Sequence, residues 1–504
     1  MRLHISLLTV FTAVVAGWLL FSPLDLLVLT VSDDAYYYLN VARNYALGNG
    51  FTFDGLHPSN GWHPAWMVIV QSVFQVIDAR TGALRAVLLV QLLIGAATVA
   101  ILFALVRRLT ASLTLAYVSV ALVLVMAPLP VLLLNGLETT LVLLVSLALV
   151  FVLVINLQQD SARLRLLIGF LIGLLFLARL DSAFIVLTLA VWILLHELKE
   201  GSLWQIVQRW WPGGLLAGLM AVSYFAWSYQ EFGSPMPISG ALKSTFPDPH
   251  FRTGFLARVP HFTGGLLAAI CWLAYRVVTR AGRWQAPVLA IGIGCAVHLA
   301  WSIVFMAWGT LQWHFIAYVP VIVLAATDFL AVAGRGARLL LVAAVVLAAA
   351  VNLGAAGLKW GHHNERLAAA AWTSRSLPAD IRLGLRDAGV FGYFADQQVV
   401  NLDGLINGFE FQEAIHRGTI ESFLVDSNVQ FTADAYVPCD YETFGVQIVA
   451  FSKDLPRRLV GEIRQFVPAA EVYRQAVSKP FESRGGKAVC FVIWQGRGQV
   501  KVIR

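Results

Sequence analysis

Two adjacent aspartates, Asp33 and Asp34, follow the first apolar run in the stretch Ser32-Asp33-Asp34-Ala35-Tyr36-Tyr37-Tyr38. Like charges side by side raise one pKa or require a cation, and either outcome suits a general base or a metal site. The plainer reading is capping. Ser32 would cap a helix over 33–47, both carboxylates would lie in its first turn, and the tyrosines would form an interfacial belt. Capping accounts for one acidic residue more easily than for two beside a membrane.

Further groups with chemical potential lie along the chain. His57, Asn60, Trp62, His63, Pro64 and Trp66 combine aromatic, amide and imidazole groups. Such a set suits stacking on a sugar and hydrogen bonding to it, and suits an interfacial anchor equally well. Glu138, in Asn135-Gly136-Leu137-Glu138-Thr139, opens an apolar helix as a dipole partner or as a site residue. Arg179 and Asp181 share a short turn, where they can neutralise each other or where Arg179 can meet a phosphate. Lys243, after the proline-rich 235–237, and His314, after Trp313, are candidate phosphate ligands; the alternatives are a solvated lysine and an interfacial histidine. The candidate set is therefore Asp33 and Asp34 for proton transfer; Arg179, Lys243 and His314 for a phosphate; and Tyr36, Arg43, Asn60, His63 and Glu138 for a sugar. An aspartate pair beside a phosphate can also hold Mg or Mn through oxygen ligands, although a single carboxylate base works without a metal. The two histidines of the first loop are too weakly patterned to define a metal site.

The elements that must position these groups follow from composition. The 504 residues are 59% hydrophobic and 13% charged, with mean hydropathy +0.73. That departs from a soluble globular composition and fits an α-helical polytopic membrane protein. About eleven apolar runs of spanning length are expected, over 5–24, 84–106, 113–133, 138–157, 164–179, 182–197, 213–230, 263–280, 286–308, 314–333 and 338–357. The first also resembles a signal peptide, but no clear cleavage site follows it and it reads as an uncleaved helix.

The formal net charge of +7 is concentrated in short loops of the apolar part. With the N-terminus inside, Arg107/Arg108, Arg163/Arg165, Lys199/Arg209, Arg276/Arg280/Arg283 and Arg335/Arg338 all fall on the inner side. The run 64–77 then reads as an interfacial helix rather than a span, and Arg80 and Arg85 sit outside against the rule. Most carboxylates of the apolar part, from Asp25, Asp33 and Asp34 to Glu138 and Asp181, fall on the outer side. Basic loops flanking spans are topology determinants, which argues against nucleic-acid binding.

From about residue 359 the chain changes character and predicts a small outer α/β domain (359–504) after a transmembrane domain (1–358). Strands are expected at 398–402, 447–451 and 488–494, and helices at 365–375, 410–417 and 455–466. Cys439 and Cys490 both fall there, as a disulfide in an oxidising compartment or as two buried thiols.

These motifs carry a resemblance. The acidic pair followed by Ala35-Tyr36, then Ala42-Arg43-Asn44 and Gly48-Asn49-Gly50-Phe51, resembles the first periplasmic loop of bacterial GT-C glycosyltransferases, and most closely the mycobacterial terminal arabinofuranosyltransferase group. Gly136-Leu137-Glu138-Thr139, Leu177-Ala178-Arg179-Leu180-Asp181, the loop 233–243, Gly389-Val390-Phe391-Gly392-Tyr393-Phe394 and Asn401-Leu402-Asp403-Gly404-Leu405 occur in the order expected there. The resemblance implies the GT-C fold and a multi-pass protein of the bacterial inner membrane with a cytoplasmic N-terminus and a periplasmic tail. It further implies a polyprenyl-phosphate sugar donor, a glycan, lipid or protein acceptor, inversion at the anomeric carbon, and Asp33 or Asp34 as the base. Leu180 stands where relatives commonly have proline, and Pro235-Met236-Pro237-Ile238 lacks their Asn-Thr-Tyr; both departures bear on the sugar and acceptor. A transporter or flippase of a lipid-linked sugar is the competing reading. It would favour internal repeats and midplane ionisable groups, whereas here such groups gather at one face. An O-antigen-ligase-type enzyme would favour a long arginine-rich outer loop late in the series, which the sequence lacks.

Overall fold

The computed structural model describes residues 2–127, 132–280, 282–306, 310–336, 338–339, 343, 346, 362–440, 443–450, 458–466, 471–476, 489–496 and 499–502. Apolar runs of spanning length become helices because a bilayer leaves backbone polar groups no partner but each other. In chain order these are α1 (Arg2–Phe21), α2 (Leu24–Val28), α3 (Asp33–Ala46), α4 (Pro64–Phe74), α5 (Arg80–Thr110), α6 (Leu113–Met126), α7 (Thr139–Gln159), α8 (Ala162–Ala178), α9 (Ala183–Glu197), α10 (Leu203–Phe232), α11 (Ile238–Lys243), α12 (Pro260–Val278), α13 (Gln285–Phe305) and α14 (Val319–Val332). Ten of the expected spans fall on described helices, and the eleventh, 338–357, lies mostly outside the described residues. Six of the described helical segments are long and apolar enough to cross a membrane: 80–110, 139–159, 180–197, 260–278, 285–305 and 312–332. Helix α4, with 11 residues, rises only about 16 Å, too short to cross, as its interfacial reading requires.

Without a hydrophobic driving force between helices in lipid, close packing decides which of them pair. Gly169 of α8 and Gly213 of α10 bring two backbones together: a Cβ on Gly169 would lie 2.2 Å from the Gly213 carbonyl oxygen. At the end of the bundle away from α3, ion pairs fasten the loops. Asp160 bridges Arg165 and Arg209, and Arg209 also reaches Glu197 at 2.8 Å. Asp328 accepts from Trp272, Arg276 and Gln285.

The two arginines that broke the charge rule are held by the structure. Arg80 pairs with Asp396 at 2.7 Å and donates to the Phe394 and Ala395 carbonyls. Arg85 donates to the carbonyls of Leu19 and Ser22. Both guanidinium groups are used in packing the start of α5 against the tail and α1.

The tail is built on α15 (His363–Ser376), α16 (Gly389–Phe394), α17 (Phe409–Arg417) and α18 (Ile420–Asp426). Its strands are β1 (Arg382–Leu385), β2 (Gln398–Asn401), β3 (Phe431–Pro438), β4 (Thr443–Ala450), β5 (Arg458–Phe466), β6 (Glu471–Ala476), β7 (Val489–Gln495) and β8 (Gln499–Val502). One sheet runs β2-β1-β3-β7-β6, with β1 parallel to both neighbours; a second runs β4-β5-β8. Cys439 and Cys490 form a disulfide. The helix expected over 455–466 is instead a strand over Arg458–Phe466, because the segment pairs antiparallel with β4 along most of its length and with β8 over 461–464; residues 455–457 lie outside the described residues.

Candidate active site

Helix α3 presents its two aspartates to different surroundings. Ser32 occupies the N-cap but its hydroxyl does not cap; the Ser32 amide donates to the Asn135 carbonyl instead. Asp33 turns toward the tail. Its carboxylate accepts from the amides of Gly389 and Val390 at 3.1 Å each, and Arg366 of α15 lies 2.8 Å away. Burial raises the Asp33 pKa, while Arg366 and the two amides act against that rise. Gly389 is required there, since a Cβ would meet the Asp33 carbonyl oxygen at 2.2 Å. Asp33 therefore ties the tail to α3 and does not reach the cavity; of the aspartate pair, Asp34 is the residue that does.

That cavity, about 940 Å³, opens between α3, α7, α8, α9, α11 and α13. Asp34 lines it, and among the described residues no protein group donates a hydrogen bond to its carboxyl. Burial is the main cause that pushes Asp34 up to about 7, and Lys243 opposes the shift. Lys243, at the end of α11, lines the cavity too and has no ion pair within 4 Å among the described residues. Burial pulls its ammonium below the usual lysine range, with Asp34 the largest opposing influence.

Arg179 also lines the cavity but is already committed. Its Nη1 lies 2.5 Å from Glu138, and its Nε and Nη2 bond both oxygens of Asp181 at 3.0 and 2.5 Å. The local chain explains the fork: α8 stops at Ala178, Arg179 is extended, and a short 3-10 turn over Leu180–Ser182 returns Asp181 to the same side. Glu138, at the N-cap of α7, also accepts from Tyr38 at 3.2 Å and lies 3.7 Å from His63. Glu138, His63 and His314 all line the cavity. Burial lowers the His63 pKa. His314 has its Nδ1 engaged by the Leu311 backbone, which leaves Nε2 for a ligand.

Three candidate sugar ligands sit elsewhere. Tyr36 packs against His363, Tyr393 and Phe394 at the tail. Arg43 lies beside Arg80 and Asp396. Asn60 is a brace: it donates to Ser228 and the Met236 carbonyl and accepts from the Ile238 amide at 2.9 Å, which fixes the start of the helix that carries Lys243. Trp62 and Trp66 are buried packing residues, and Trp66 donates to the Gly136 carbonyl.

Helix periodicity separates the tyrosines. Residues three and four apart share a face, so Tyr37 and Tyr38 follow Asp34 into the cavity while Tyr36 follows Asp33 to the tail. His298, in the middle of α13, lines the cavity and bonds Tyr318; an ionisable residue inside an apolar run was the available signal for it. Gln91 of α5 staples the turn before Glu138 through Gly136 N and Leu137 O, a role with no mark in the sequence.

The donor set does not suit a resident divalent cation. Glu138 and Asp181 are both paired with Arg179, and the charge that acts most strongly on Asp34 is that of Lys243. Among the described residues no three His, Cys, Asp or Glu side chains converge as metal ligands.

Similarity to known proteins agrees with this architecture. Residues 63–227 match the family profile described as dolichyl-phosphate-mannose-protein mannosyltransferase, and residues 356–473 match a domain of unknown function. No functionally curated protein sequence matches. Among solved structures, ArnT from Cupriavidus metallidurans bound to undecaprenyl phosphate aligns over 96% of this chain and 97% of its own, with 14% identity and TM-score 0.57. The apo form of the same protein aligns over 86% of this chain and 96% of its own, with 13% identity and TM-score 0.52. The archaeal oligosaccharyltransferase AglB from Archaeoglobus fulgidus, in complex with an inhibitory peptide and a dolichol phosphate, aligns over 86% of this chain and 69% of its own, with 13% identity and TM-score 0.51. The chain is thus a multi-pass membrane protein with the GT-C fold. The narrower likeness to the arabinofuranosyltransferase group rests on the loop motifs alone.

Proposed function

We propose that this protein is an inverting glycosyltransferase that moves a sugar from a polyprenyl-phosphate donor to an acceptor hydroxyl, with Asp34 as general base. The observation that carries the reading is the pairing, across one cavity, of an undonated carboxyl with pKa near 7 and a lysine without a carboxylate partner in bonding range. A base works best with a pKa near the working pH. The acceptor hydroxyl gives its proton to Asp34 as its oxygen bonds the anomeric carbon. The bond from that carbon to the phosphate oxygen breaks, and the electron pair leaves on the phosphate, held by Lys243 and His314. Inversion is the course this supports: among the described residues the other carboxylates lining the cavity, Glu138 and Asp181, are both paired with Arg179, which disfavours either as a nucleophile.

The donor's lipid has a place to lie. The wall of the cavity includes Phe184, Phe246, Trp301 and Met306, and Trp301 packs on both Phe184 and Phe246 to form an apolar cluster. The GT-C fold shared with a structure bound to undecaprenyl phosphate supports a donor of that class. The loop motifs favour arabinofuranose or another pentose or hexose, a periplasmic active face and a tail on that same face.

The test is transfer from synthetic polyprenyl-phosphate sugars by purified protein. Asp34→Asn is expected to lose about 100-fold or more, and Lys243→Gln to raise the donor KM. Full activity in Asp34→Asn would overturn the base assignment.

A further inference from the structure

The Arg179 fork has one open side. Of the two carboxylates that Arg179 holds, Glu138 has a side chain only 3% exposed, whereas that of Asp181 is 30% exposed. Both Asp181 oxygens accept from Arg179, and a carboxylate oxygen can accept more than once. On that open side His298 of α13 brings its Nε2 to 3.6 Å from Asp181 Oδ2, and both residues line the cavity.

A separation of 3.6 Å is too long for a hydrogen bond, and among the described residues His298 Nε2 makes none. The other ring nitrogen decides which of the two carries the proton. Nδ1 lies 2.8 Å from the hydroxyl of the buried Tyr318. When that hydroxyl donates to Nδ1, Nε2 carries the proton and offers an N–H beside a carboxylate. The opposite tautomer would set a lone pair beside the same carboxylate. Phe184 at 5.8 Å and Phe315 at 6.2 Å pack on the imidazole and hold it in place. The result is a fixed donor and a fixed acceptor with a gap between them. An oxygen about 2.8 Å from each, an ordinary hydrogen-bond length, closes a triangle on the 3.6 Å side. The group that fits must accept from Nε2 and donate to Asp181. A hydroxyl does both. A phosphodiester oxygen has no proton to give and repels the carboxylate.

We propose that His298 and Asp181 together receive one ring hydroxyl of the donor's sugar, with Tyr318 fixing the tautomer of His298. This rests on the transferase reading above. The donor's sugar is tethered to its phosphate, and the fork borders the space beside the proposed phosphate ligand: among charges, Asp34 and then Arg179 act most strongly on Lys243. A site built to hydrogen-bond a hydroxyl rejects a ligand that lacks it, because the donor and acceptor are then left unpaired. His298 is therefore a specificity-determining residue for the sugar that is moved.

The experiment titrates the full-length protein in detergent with farnesyl phosphate diesters of arabinofuranose and of mannose, and with farnesyl methyl phosphate, which has the same charge and no sugar. Wild type is expected to bind one sugar ester more tightly than the methyl ester. His298→Leu should weaken that sugar ester about tenfold, as the loss of one hydrogen bond would, and leave the methyl ester unchanged. His298→Gln, whose amide can still donate, should restore most of the difference. Tyr318→Phe, which releases the tautomer, should weaken the sugar ester about threefold, a smaller step on the same scale. The proposal is overturned if neither sugar ester binds more tightly than the methyl ester, if His298→Leu binds the sugar ester as wild type does, or if His298→Leu and Tyr318→Phe both weaken sugar and methyl esters alike. Sugar-ester binding that depends on His298, without transfer to any acceptor, would sink the transferase reading and leave the pair standing.

Discussion

Asp33 and Gly389 meet in a contact that leaves no room for a methyl group: a Cβ on the glycine would lie 2.2 Å from the aspartate's carbonyl oxygen and 2.7 Å from its carboxyl carbon. Through this contact the first residue of α3 receives two amides from the start of α16, while the next residue faces the cavity. Adjacent identical side chains thus face different surroundings, one the tail and one the cavity.

Gly389→Ala is accordingly expected to unseat α16, at a cost of several kcal/mol, in the range of severe overpacking and loss of a buried polar contact. Limited proteolysis would show the tail cut faster. Asp33→Asn should show the same defect in milder form, because an amide still accepts from Gly389 but pairs poorly with Arg366. A tail as protease-resistant as wild type in Gly389→Ala would contradict this contact.

The acid limb of transfer activity should track Asp34. With Asp34 pushed up to about 7, kcat/KM should fall as pH drops through that value, because the base becomes protonated. Lys243 opposes the upward shift, so Lys243→Gln should move the limb to higher pH. A pH-rate profile flat from 5 to 8 would be incompatible with Asp34 as the titrating base.

The same shift has a thermodynamic consequence of opposite sense. A carboxyl raised in the folded state contributes stability that is complete below its unfolded pKa of 3.8 and is lost as pH rises through the folded value. Between pH 4 and 7 the ionising group should cost about 4 kcal/mol at most. Asp34→Asn lacks that cost. Its thermal unfolding temperature in detergent should therefore exceed that of wild type by a margin that widens from pH 5 to pH 8.

Arg179 and Lys243 should fail in different ways. Removing Arg179 leaves Glu138 a buried carboxylate without its cation, a loss of about 3–5 kcal/mol. Arg179→Met should express poorly or unfold early, and Arg179→Met/Glu138→Gln should recover part of the loss. Lys243→Gln should fold normally and bind donor weakly. Equal thermal stability in Arg179→Met and Lys243→Gln would show that the arginine is a ligand rather than a brace.

His57 should give a pH-dependent clamp between loop and tail. Its Nδ1 lies 2.6 Å from Asp54, its Nε2 lies 3.3 Å from the Ser427 hydroxyl, and its ring packs on Phe423. Burial lowers its pKa, but Asp54 outweighs that and leaves it raised. The stability it contributes should be complete below about 6.5 and lost as pH rises through the folded value. The difference in unfolding temperature between wild type and His57→Gln should shrink from pH 6 to pH 9.

The helical layout was legible because each span must satisfy its own backbone within an apolar run, so the membrane segments announce themselves one at a time. The cations were legible for a similar reason: Arg179 and Lys243 are rare charges among apolar neighbours, and Lys243 and His314 do line the cavity. What escaped notice were partners separated by long stretches of chain. Nothing local distinguishes Asp33 from Asp34 until Gly389 and Arg366 are in place, and Asn60 reads as a sugar ligand until Ile238 is seen to donate to it. The strand β5 was missed because its pairing with β4 and β8 overrides a sequence that alternates weakly. Tyr37 could have been separated from Tyr36 by counting helix positions from Asp34.

The bond from Gly389 to Asp33 joins residues 356 positions apart. During synthesis helix α3 emerges early, and the partners of its Asp33 carboxylate, Arg366, Gly389 and Val390, come only with the tail. Contacts of such separation form late in folding, and larger chains assemble unit by unit as they are translated. Helix α3 is therefore expected to settle only after the tail has been made and has folded back onto it, so that a truncated or stalled chain would hold Asp34 on an unfinished wall of the cavity.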